Sequence, residues 1–166
     1  MKHTILVVDD QEDERDAMAC LLLRHHYLVE LAPDGQKAID HLRHRASLPA
    51  LVLLDLNMPV MNGWEFLAQV ALDGSLRHVP VVVISGSPIV PDESVVPPNV
   101  TFLAKPIRPH VIMKLIAEML RHSALASAPT ANEGVVVATD DIVVATDDID
   151  TARYVTVNHE HHARGV

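Results

Sequence analysis

The chain has 166 residues, 49% of them apolar, and a formal net charge of −9 with its histidines neutral. That length supports one domain with a real core, and the acidic balance argues against a nucleic-acid binder, whose footprint is basic. Cys20 is the only cysteine, which excludes an intrachain disulfide. No apolar stretch approaches the roughly 20 residues a membrane helix needs. Residues 5–8 run straight into Asp9 and Asp10 rather than forming a secretory leader. A cytoplasmic protein with no membrane insertion is the expectation.

Residues 4–8 form a short β-branched run ended by two acids, the pattern of a buried strand. Residues 12–26 read as a helix with Ala17, Met18, Leu21 and Leu22 on one face and Asp13 as N-cap. A second strand covers 28–31. Asp34-Gly35 marks a turn into a helix over 36–45, with Ala38, Ile39 and Leu42 inward. A third strand, 50–54, ends at Asp55. Asn62-Gly63 turns the chain into a helix over 64–72. The fourth strand, 79–84, ends at Ser85-Gly86. The fifth, 100–104, ends at Lys105-Pro106. Pro109 suits the first turn of a last helix reaching about residue 122. Between strands four and five, Pro88, Pro91, Pro97 and Pro98 rule out a full helix, since proline in a helix interior costs about 3 kcal/mol. One turn around 92–95 is the most that fits.

Apolar strands alternating with helices indicate an α/β fold: a five-stranded parallel sheet with helices on both faces. Such sheets place their ligand site beyond the carboxyl ends of the strands. The residues found there are Asp9, Asp10, Asp55, Ser85 and Lys105.

The composition changes after residue 122. Residues 1–122 carry a net charge of −4 and residues 123–166 carry −5. The heptapeptide VVATDDI occurs twice in succession, at 136–142 and 143–149. Two short copies do not make a solenoid. The expectation is a domain over 1–122 and an acidic, disordered or loosely ordered tail over 123–166. The rival reading is a pair of β-segments, since Val and Thr favour strands. Such segments could add to a sheet edge of this chain or of a second copy, the latter giving a homodimer. His159, His161 and His162 beside Glu160 read as incidental polar tail.

Three carboxylates at one end of a sheet repel one another, so at least one should have a raised pKa unless a cation sits among them. An all-oxygen set of Asp9, Asp10 and Asp55 suits Mg²⁺, which keeps waters and takes one or two carboxylates plus phosphate oxygens. Lys105 adds a positive charge, and Ser85 a hydroxyl that can donate to a phosphoryl oxygen. Together they match phosphoryl transfer to a carboxylate, where the protein positions the nucleophile and neutralises the equatorial oxygens.

With these residues the chain resembles a response-regulator receiver domain of two-component signalling, with the flavodoxin-like fold, over about residues 3–122. The motifs are Val8-Asp9-Asp10, Leu54-Asp55-Leu56-Asn57-Met58-Pro59 with Gly63, Ser85-Gly86 and Lys105-Pro106. The resemblance implies that Asp55 is the phosphoacceptor and Asp10 a direct metal ligand. Asp9 would assist, and the Asn57 backbone carbonyl would be another ligand. Lys105 would pair with the phosphoryl group, Ser85 would move to meet it, and Phe102 stands at the switch aromatic. It further implies a histidine kinase or phosphotransfer protein as donor and a downstream protein target that the sequence does not name. The segment corresponding to the family's fourth helix is short and Pro-rich, which touches the family's usual output face. Two other functions compete. A receiver-like module that works without phosphorylation fits the eroded fourth helix. An Asp-dependent phosphohydrolase fits poorly, because Leu56 and Asn57 follow Asp55 without a second Asp and no cap is inserted.

Overall fold

The computed structural model describes residues 2–86, 97, 99–126 and 154–155. Strands β1 (Thr4–Val8), β2 (Leu28–Ala32), β3 (Leu51–Asp55), β4 (Val81–Ser85) and β5 (Val100–Ala104) alternate with helices α1 (Glu12–Arg24), α2 (Gly35–Arg43) and α3 (Gly63–Leu72). Helix α4 (Pro109–Ala126) and a two-residue strand β6 (Tyr154–Val155) follow. The sheet order is β2-β1-β3-β4-β5-β6, the first five strands parallel. This is the doubly wound, flavodoxin-like order, with strand sequence reversing beside β1.

Strand side chains alternate between two cores. Leu6, Val8, Val52, Leu54 and Val83 face Ala38, Ile39 and Leu42 of α2 and Phe66 and Val70 of α3. Ile5, Val7, Leu51, Leu53 and Val82 face Leu22 of α1 and Ile112, Leu115 and Ile116 of α4. With both faces covered, β3 and β4 are buried along their whole length, which is why they read as unbroken apolar runs.

The structure moves several boundaries. Helix α1 is capped at Gln11, not Asp13, without a side-chain cap bond. Glu12, Asp13 and Glu14 fill its first turn, where the helix dipole favours acids. It stops at Arg24 because His26 takes φ 65°. The amides of His26 and Tyr27 donate back to Leu23 and Leu22, closing a Schellman motif. Its buried residues are Ala19 and Leu22, with Met18 and Leu21 packed alongside, while Ala17 is exposed. Strand β4 starts at Val81 rather than 79, since Pro80 has no N–H and the Val79 amide donates to Leu76. Helix α4 passes residue 122 and ends at Ala126, because Ser-Ala-Leu-Ala contains no breaker and alanine is the best helix former.

The segment in which a single turn was expected, 92–95, and both VVATDDI copies lie outside the described residues. From the region expected to be a loose tail, Tyr154 and Val155 pair antiparallel with Leu103 and Phe102. The sheet therefore has a sixth strand that the sequence did not indicate. Among the described residues no helix is long and apolar enough to cross a membrane.

Candidate functional site at the carboxyl edge of the sheet

The parallel register pairs Val8 with Leu54, Asp55 with Ile84, and Ser85 with Ala104. Asp9, Asp55, Ser85 and Lys105 thus leave the sheet at one edge. Asp55 is 5% exposed and Asp9 8%, so neither carboxylate is free to turn into solvent.

Lys105 gathers the site. Its ammonium lies 3.0 Å from Asp55 Oδ1 and 3.8 Å from Asp9 Oδ2, and it hydrogen-bonds Glu14. The other Asp55 oxygen, Oδ2, accepts the Asn57 amide at 2.6 Å. Asp9 Oδ1 accepts the Gln11 amide at 2.8 Å, and the Asp9 carbonyl accepts from Arg15 at 2.7 Å. The Lys105 amide donates to the Ser85 carbonyl at 2.8 Å, which ties β5 to β4 beside the site. The Lys105–Pro106 peptide is cis.

The loop after Asp55 is held by close backbone approaches. The Gly63 amide donates to the Leu56 carbonyl at 2.9 Å. A Cβ on Gly63 would stand 2.6 Å from the Asp55 carbonyl oxygen. Asn62 and Glu65 form a capping box at the start of α3. Between these points the Met61 amide donates to the Pro59 carbonyl at 2.8 Å. The intervening Val60 has φ 69° and is 82% exposed. A β-branched residue at positive φ is strained.

Burial pushes the Asp9 carboxyl above its ordinary value; the Gln11 amide and Lys105 oppose this, and the charges of Asp55 and Glu14 add to it. The Lys105 ammonium is also raised. Burial alone would lower it, but hydrogen bonds to Glu14 and Asp55 and the fields of Asp55 and Asp9 prevail. Folding therefore resists the charge on Asp9 and protects the charge on Lys105.

The expected residues are placed unequally. Asp9, Asp55 and Lys105 meet directly. Ser85 is buried at the end of β4. Asp10 and Asn57 are exposed at the rim. Phe102 is buried on the α3 side, its ring centroid 5.8 Å from that of Trp64 at a 31° tilt; Trp64 is its packing partner. Among the described residues no three acidic, histidine or cysteine side chains converge into a closed metal cage. The set still has the character Mg²⁺ requires. Asp9, Asp55 and Glu14 give three carboxylates around one ammonium, with Asp10 exposed next to Asp9 in the chain; all are hard oxygen donors, and a Mg²⁺ site takes only one or two of them. Sequence reading missed Glu14. The signal was the acidic first turn of α1, but only the helix phase shows which of its three acids reaches Lys105.

The family model described as response regulator receiver domain matches residues 5–117. The 3′,5′-cyclic-nucleotide phosphodiesterase regA of Dictyostelium discoideum is 31% identical over 123 residues, covering 72% of this chain and 16% of that protein. The response regulator Rre1 of Synechocystis sp. is 28% identical over 127 residues, covering 75% of this chain and 54% of its own length. The chain thus spans only part of these relatives. The chemotaxis response regulator CheY4 of Vibrio cholerae superposes with a TM-score of 0.61 at 24% identity, over 72% of this chain and 99% of that one; this shows a shared fold. A receiver match over most of the chain, laid on a parallel sheet whose carboxyl edge carries Asp9, Asp55 and Lys105, places the protein in the response-regulator receiver family.

Proposed function

We propose that the chain is a phosphoacceptor response regulator in which Asp55 takes a phosphoryl group from a histidine kinase or phosphotransfer protein. The observation that carries the reading is the fixation of Asp55: a buried carboxylate with one oxygen on Lys105 and the other on the Asn57 amide. A nucleophile fixed at both oxygens is oriented in advance, and orientation is most of what phosphoryl transfer asks of a protein.

In this reading an Asp55 oxygen attacks the phosphorus of a phosphohistidine. The new P–O bond forms as the P–N bond breaks, and the electron pair returns to the imidazole nitrogen, which takes up a proton. Lys105 follows the charge onto the phosphoryl oxygens, and the Ser85 hydroxyl donates to one of them. Phe102, packed against Trp64, would report the change to the β5 face. Asp10 and Asp55, with the Asn57 carbonyl and Asp9 behind them, are the residues that would hold Mg²⁺. The ion, when bound, neutralises phosphoryl oxygens as a Lewis acid. The protein is a switch that acts through protein contacts, in the cytoplasm, and turns over no separate metabolite. Residues 1–122, with the last turn of α4, form the phosphoacceptor unit, and the acidic remainder serves as a tether.

Intact mass after incubation with a small phosphodonor, with and without Mg²⁺, tests the proposal. One added phosphoryl group that depends on Mg²⁺ supports it. No gain under either condition favours a receiver-like interaction module working without phosphate.

A further inference from the structure

The ammonium of Lys105 has three N–H donors and three carboxylates within reach, but these differ in kind. Asp55 and Asp9 are buried and pinned by the backbone amides of Asn57 and Gln11. Glu14 is the partner drawn closest to Lys105, yet its side chain is 45% exposed, against 24% for Lys105 and 5% for Asp55. It projects from the first turn of α1, whose start is anchored where Arg15 and the Gln11 amide bind Asp9. Glu14 is therefore delivered to Lys105 by a rigid helix end, on a side chain that can leave.

There is space on both sides of it. Glu14 lines the small cavity, about 50 Å³, that Asp9, Asp55 and Lys105 enclose. It also lines an open groove of about 630 Å³ between α1 and the start of α4, walled by Ala17, Met18, Leu21, Pro106 and Ile107. A carboxylate released from Lys105 can swing into that groove without disturbing the core.

We propose that Glu14 is a positioning residue that latches Lys105 in the resting protein and competes for it with an arriving phosphoryl group. The inference rests on Asp55 being the phosphoacceptor. With Glu14 bound, the ammonium is shared away from the oxygens it must serve in the transition state. Phosphorylation then includes the exchange of one anionic partner, Glu14, for another, the phosphoryl group. Asp9 and Asp55 cannot make that exchange because burial and the backbone hold them.

The test uses the full chain and two small donors, dianionic acetyl phosphate and the less charged phosphoramidate, with Mg²⁺ present. Glu14→Gln keeps the shape and removes the charge. It should accelerate phosphorylation by roughly two- to fivefold, the effect expected from an ion pair with one half-exposed member, and it should do so with both donors. Acceleration with acetyl phosphate alone would overturn the latch, since it would reveal simple repulsion of a dianion at the mouth. An unchanged rate with both donors would also overturn it, while wild-type phosphorylation left the Asp55 reading intact. A wild type that takes no phosphate from either donor would remove the Asp55 reading and the latch with it. A urea midpoint that falls by no more than about 0.5 M, the loss of one such ion pair, establishes that a rate change does not come from a loosened fold.

Discussion

Replacing Gly63 by alanine tests how the backbone holds Asp55. The added Cβ would lie 2.6 Å from the Asp55 carbonyl oxygen, 2.8 Å from Leu56 Cα and 2.9 Å from Leu56 Cδ2. Two of those atoms are backbone and cannot rotate away. Ordinary contact begins near 3.4 Å, so the first turn of α3 must retreat from β3 by about 0.8 Å, the difference from the shortest contact. Overpacking of this kind costs about 1–3 kcal/mol, and alanine's better helix propensity returns at most about 1 kcal/mol. The expected net loss is about 1–2 kcal/mol. In urea, where small domains have slopes of about 1–3 kcal/mol per molar, the midpoint should fall by about 1 M. Gly74→Ala is the internal control: a Cβ there meets nothing within 4 Å and the backbone is not left-handed, so the change should lie within about 0.5 kcal/mol of neutral. Equal midpoints for Gly63→Ala and wild type, or an equal loss for both glycine variants, would refute the reasoning.

Val60→Gly should stabilise the chain by up to about 1 kcal/mol, because glycine takes the positive φ of this γ-turn without the clash that strains valine; a urea midpoint below wild type would contradict the strain. Asp9 carries a sign that can be checked. Its folded pKa lies above the unfolded value of 3.8, so the native state binds more protons in between and stability falls as pH rises through that window. Asp9→Asn should therefore raise the melting temperature of the metal-free protein at pH 7. The gain should vanish as pH falls below the unfolded value, and a gain that grows in acid would be the wrong sign. Ending the chain after Ala126 removes a strand of only two residues from the β5 edge. The shortened protein should remain folded and accept phosphate at the full-length rate, and precipitation, a changed mass in solution or lost phosphorylation would make the tail part of the working unit.

The features legible in the sequence were those set by local pattern. Unbroken apolar runs marked β3 and β4 because both faces of the sheet are covered, and the acids and lysine that end the runs marked the site because parallel strands finish at one edge. Asp34 and Asn62 could be placed before their helices from composition, and both accept the cap bond there. What could not be read depends on longer range or on exact phase. His26 closes α1 in a left-handed conformation that no glycine announces. The pairing of Tyr154 with Leu103 joins residues separated by the whole of α4 and the region after it. Glu14 is one of three neighbouring acids, and its contact with Lys105 spans 91 positions. The exposure of Asp10 beside a buried Asp9 likewise follows from the direction in which the chain leaves β1, which identical neighbouring side chains cannot signal.

The central claim is that Asp55 itself receives the phosphoryl group, and borohydride trapping tests it most directly. Borohydride reduces an acyl phosphate on aspartate to homoserine. After incubation with phosphodonor and Mg²⁺, reduction and peptide mass mapping should find homoserine at position 55, with Asp9 and Asp10 intact and no homoserine formed in the Asp55→Asn protein. Homoserine at Asp9 or Asp10, or a phosphoryl gain that survives in Asp55→Asn, would contradict the account.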